Sequence, residues 1–126
     1  MKLLLKRDQK SGMMGGITFL LDVRAELSDQ EQLSVSKYKL GTTMLYERDK
    51  MVDPGSGLLG AASRLSFKMT NLSVNVNDLS SGRRIECKDI IEMLAVEEQI
   101  KQACQTFQAV LKAASSFGGE EVIEIQ

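Results

Sequence analysis

The chain has 126 residues, 43% hydrophobic and 26% charged, and its 16 basic and 17 acidic residues give a formal charge of -1. That length suits one domain with its own core, and so balanced a charge speaks against nucleic acid, an anionic membrane or an acidic substrate as partner. With no histidine, the chain lacks the usual general base near neutral pH and the commonest metal ligand, which excludes Ser-His-Asp and Cys-His mechanisms within one chain.

The first residues, "MKLLLKRDQK", hold an apolar run too short for the core of a secretory signal, which needs about 7–15 residues. No stretch nears the roughly 18 apolar residues that span a membrane. Met1–Arg7 therefore reads as a strand in a cytoplasmic protein, and Asp8–Gly12 as a turn. Next comes the clearest strand: Ile17, Phe19, Leu21, Val23 and Ala25 alternate with Thr18, Asp22, Arg24 and Glu26, and Leu20 is the exception. Together these two strands would form a hairpin.

Ser28 followed by Glu31 is a capping box, in which each side chain serves the other residue's amide. It predicts a short helix over Ser28–Lys39, stopped by Gly41. Thr42–Glu47 has strand composition.

The segment "DPGSGLLGAA" follows, with the only proline, Pro54, and glycines at Gly55, Gly57 and Gly60 in the spacing G-x-G-x-x-G. In a dinucleotide site such glycines bring the backbone close to a pyrophosphate at a helix N-terminus. Such a loop needs a buried apolar strand directly before it. Here "YERDKMVDP" precedes it, and no Gly-Lys-Ser/Thr follows as a Walker A loop requires. The segment reads as a flexible connection over about 49–62. The alternative is a small-ligand or nucleotide site at Gly55, Gly57 and Gly60.

Beyond the loop, Leu65, Phe67 and Met69 alternate, as do Leu72, Val74 and Val76. The change of parity predicts a turn or bulge near Thr70–Asn71. "NDLSSGRR" reads as a turn and "RRIEC" as a strand.

Lys88 to about Ser115 is the dominant helix. Met93, Val96, Ile100, Ala103, Phe107, Val110 and Ala114 recur at alternating spacings of three and four, while Glu97, Glu98, Lys101 and Gln102 fill other faces. This stripe either packs on the chain's own sheet or serves as an interface with a second copy or another protein. Gly118 and Gly119 end the helix, and "EEVIEI" reads as a last strand.

Cys87 sits at a strand-to-helix junction, where a thiol can be activated, but with no histidine beside it a buried packing role is the simpler reading; Cys104 beside the stripe packs likewise. Two cysteines make no disulfide scaffold, and no metal-ligand spacing exists. The carboxylates Glu86, Asp89 and Glu92, with Glu120, Glu121 and Glu124, would form a catalytic pair only if the fold joined them. Arg83, Arg84, Lys2, Lys6, Arg7 and Lys10 are too few, and lack interleaved aromatics, for nucleic-acid binding.

The resulting expectation is one α+β domain. A mostly antiparallel sheet of about six or seven strands packs against one long C-terminal helix and one short helix, in the order β-β-α-β-loop-β-β-β-α-β. Its expected role is that of a non-catalytic cytoplasmic interaction module, a homodimer, with no metal, no cofactor, no nucleic acid and no membrane partner.

Overall fold

The computed structural model describes residues 1–52, 68–120 and 122–126. Strands β1 (Lys2–Ser11) and β2 (Ile17–Glu26) form the expected hairpin, with Leu3 opposite Ala25, Leu5 opposite Val23 and Arg7 opposite Leu21. Both strands run to the hairpin tip, so Asp8–Ser11 are strand, and the chain reverses around Gly15 at φ 80°. A positive φ of this kind costs glycine little because it has no Cβ.

Helix α1 (Asp29–Lys37) begins as its sequence predicts: Ser28 Oγ accepts from the Glu31 amide at 3.2 Å, and Glu31 accepts from the Ser28 amide at 2.9 Å. It ends earlier than expected, at Tyr38, and Lys39 takes the left-handed turn at φ 54°. Gly41 is thus not the stop. Its carbonyl accepts from Asn77, and a Cβ there would lie 2.5 Å from the Asn77 side chain.

Strand β3 (Met44–Val52) pairs antiparallel with β4 (Lys68–Asn75). The pairing is continuous through Thr70 and Asn71, so the expected break there is corrected; the irregularity falls between Met44 and Tyr46. Asn75 and Asp78 form a second capping box, and α2 (Val76–Ser81) stands where a turn was expected. Two residues of "NDLSSG" explain it: Asp78 is the box's second partner, and Gly82 closes the helix at φ 95°. Strand β5 (Arg83–Cys87) then joins β2, and α3 (Ile90–Ser115) follows, capped by Asp89.

The described residues form five strands in two antiparallel sheets, β1-β2-β5 and β3-β4, rather than six or seven in one. The expected last strand is absent at Glu120 and Val122–Gln126, which carry no regular structure.

The core lies where both sheets meet α3. Leu21, Val23 and Ile85 from the first sheet, Tyr46 and Val74 from the second, and Leu79 of α2 pack with Ile100, Cys104, Phe107 and Leu111. Leu20 is also buried, at 7% exposure, although it points to the face opposite Leu21. Ile100 is fully buried at the centre of α3. Ile100→Ala should lower the unfolding free energy by about 2–5 kcal/mol in a urea titration, because the cavity adds to the lost transfer energy.

Candidate functional site

The seven stripe residues lie mostly in the chain's own core. Met93, Val96, Ile100, Phe107 and Ala114 are buried, Ala103 is half-buried against the core, and Val110 is 40% exposed. Leu111 is buried instead of Val110, because a 3.6-residue period drifts away from a strict alternation of threes and fours. As placed, the stripe offers no free surface for docking along most of its length.

Apart from Val110, the exposed large apolar groups of α3 lie off the stripe. Ile90 is 56% exposed, Ile91 80% and Leu94 48%. Asp89 fixes this end of the helix by accepting from the Glu92 amide at 2.7 Å. The core-facing row begins only at Met93, so the first turn projects beyond the core. Phe19 pairs with Cys87, which brings Ile17, itself 50% exposed, to the same end of the sheet. Four large aliphatic side chains, 48–80% exposed, thus stand at one end. The signal was present in "KDIIEML", where the apolar residues exceed what one stripe can use.

The junction residues form a polar cluster beside this end. Arg48 donates to Glu92 Oε1 at 2.6 Å and to the Glu86 carbonyl at 3.0 Å. Cys87 is buried next to it, 2% exposed. Burial pushes the thiol above its ordinary value and Glu92 adds to that, outweighing Arg48. Burial likewise raises the Tyr46 hydroxyl. The cluster therefore holds a protonated thiol and a matched ion pair, which ties β3 to α3. Cys104 is also free, buried and raised by burial.

Among the described residues the carboxylates form no catalytic pair, and Glu121 lies outside those residues. Glu92 pairs with Arg48, while Glu120 and Glu124 belong to the exposed terminal segment. Among the described residues, no three histidine, cysteine or acidic side chains are grouped to hold a metal. The arginines are matched one by one: Arg83 with Asp78 at 3.4 Å, Arg84 with Asp22 at 2.8 Å, and Arg7 with Glu97 at 2.6 Å. Gly55, Gly57 and Gly60 lie outside the described residues.

Glu97 was expected on a solvated face and is instead buried, at 2% exposure. Arg7 of β1 reaches it with two hydrogen bonds, 2.6 and 2.9 Å. The partners are 90 residues apart, so no local pattern announces the pair. Arg7 holds the Glu97 carboxyl below its ordinary range, against the opposing effect of burial.

The chain matches no protein-family model, no curated protein and no solved structure.

Because Glu97 is depressed in the folded state, its stabilisation is fully present above the ordinary carboxylate range and is lost as pH falls through the folded value. The difference in urea stability between the native chain and Glu97→Gln should be largest above about pH 5 and shrink steadily below about pH 4. Both thiols should resist a disulfide reagent in the folded chain and react together once denaturant is added. Fast reaction at Cys87 alone would show it to be an activated thiol.

Proposed function

We propose that this chain is a non-catalytic, cytoplasmic protein-interaction module that works as a homodimer. The observation that carries this reading is the exposure of Ile17, Ile90, Ile91 and Leu94, 48–80% each, at the end of the β2-β5 ladder where α3 begins. Grouped aliphatic side chains of this kind mark a surface that another protein covers. This surface replaces the buried stripe as the place where α3 would meet a partner. A cytoplasmic setting agrees with two free, buried cysteines. No described helix is long and apolar enough to cross a membrane.

The non-catalytic part of the reading rests on the described polar groups. The cysteines are buried with raised thiol values, and the carboxylates are paired or dispersed.

Light scattering over a range of concentrations tests the proposal. The native chain should approach twice 13.9 kDa. Ile91→Lys and Leu94→Glu should move the mass to that of one chain while leaving the melting temperature within about 3 °C, since surface changes of this kind alter stability little. A native chain at 13.9 kDa throughout would remove the homodimer.

A further inference from the structure

We infer that the terminal segment Glu120–Gln126 of one copy adds as a strand to the free edge of β1 in a second copy. This rests on the homodimer reading above and names the contact that would build it.

Two halves of a pairing stand unmatched on the same chain. The first is β1. It is the edge of its sheet, ten residues long, and among the described residues only β2 pairs with it. An edge strand presents a row of backbone donors and acceptors that a further strand can take. The opposite edge of that sheet, β5, is partly occupied, because Arg48 already takes the Glu86 carbonyl. The second half is the terminal segment. Val122, Ile123 and Ile125 are 87%, 71% and 92% exposed, in the composition of a strand but without one.

The side chains of the two halves are complementary in order. On the outer face of β1 stand Lys2, Leu4 and Lys6, all exposed. Across the β1–β2 ladder Lys2 stands opposite Glu26 and Lys6 opposite Asp22, yet among the described residues neither ammonium closes a salt bridge with them. The terminal sequence places Glu120, Val122 and Glu124 at the same two-residue spacing. Set side by side, glutamate meets lysine, valine meets leucine, and glutamate meets lysine again. The match holds in either strand direction because both triplets are symmetric. On the other face Ile123 then lies beside one of Leu3 and Leu5, which are half-buried against the core, and Glu121 beside the other. Opposite charges and apolar pairs directly across a ladder are the contacts that stabilise neighbouring strands. In the single chain Glu120 and Val122–Gln126 are exposed and carry no strand, so a second copy supplies the edge.

The experiment measures self-association by light scattering, with circular dichroism and melting temperature recorded for every variant. Four chains are compared: native, the chain shortened after Gly119, Lys2→Glu/Lys6→Glu, and Lys2→Glu/Lys6→Glu/Glu120→Lys/Glu124→Lys. The shortened chain should keep its melting temperature and lose the dimer. The double reversal should weaken association about tenfold and the fourfold reversal restore it, because only a direct charge match is rescued by exchange. Association of the native chain should also weaken with added salt. If shortening and double reversal leave the dimer intact while Ile91→Lys abolishes it, the homodimer stands and this contact is overturned. A native chain that is monomeric at every concentration overturns both. Hydrogen exchange showing Val122–Ile125 protected in a monomer would place the segment on its own β1 and overturn the exchange between copies.

Discussion

The row Met93, Val96, Ile100, Cys104, Phe107 and Leu111 along α3 closes the core, and the arrangement of every other element follows from it. The sheets of three and two strands among the described residues are too small to bury their inner faces alone. Helix α3 lies against β2, β5 and β3, so one amphipathic helix supplies the apolar cover for both sheets. Helix α2 completes the joint by touching β2 and β4, with Leu79 fully buried. Burial is non-directional, and it explains why the parts collapse together but not why they meet in this register.

Register comes from polar contacts between distant residues. Arg7 fastens β1 to the middle of α3 through Glu97, and Arg48 fastens β3 to its first turn through Glu92. A buried carboxylate such as Glu97 costs more than it returns unless it is paired and hydrogen-bonded, so α3 is held where Arg7 can reach. Capping boxes at Ser28 and Asn75 set where α1 and α2 begin, because each satisfies two amides that helix ends leave orphaned.

Satisfying the core leaves apolar groups outside it, among them the start of α3 and the chain beyond it. The first turn of α3 projects its isoleucines past the sheet, and the chain beyond Gly119 carries β-branched residues with no ladder to join. Both are the kinds of surface that association removes from water. They lie on different parts of the chain, which is why a charge at Ile91 and a change at Lys2 or Glu120 report on separate contacts.

Elements whose signals are local were legible in the residues. Alternation from Ile17 to Ala25 gave β2, Ser28 with Glu31 gave the start of α1, and the apolar repeat gave α3 nearly to its ends. Period and capping depend on neighbours within four positions, so sequence alone determined them. The turn expected over Asn77–Arg84 missed α2 because the capping partner, Asn75, lies inside a segment that reads as strand. The terminal segment failed because strand composition makes a strand only when an edge is beside it. Partner choice across the fold was decided by tertiary structure: two sheets rather than one, Arg7 with Glu97, Val110 outside and Leu111 inside. Each of these depends on which surfaces meet, and residues as far apart as Arg7 and Glu97 carry no mark of one another until the core brings them within hydrogen-bond reach.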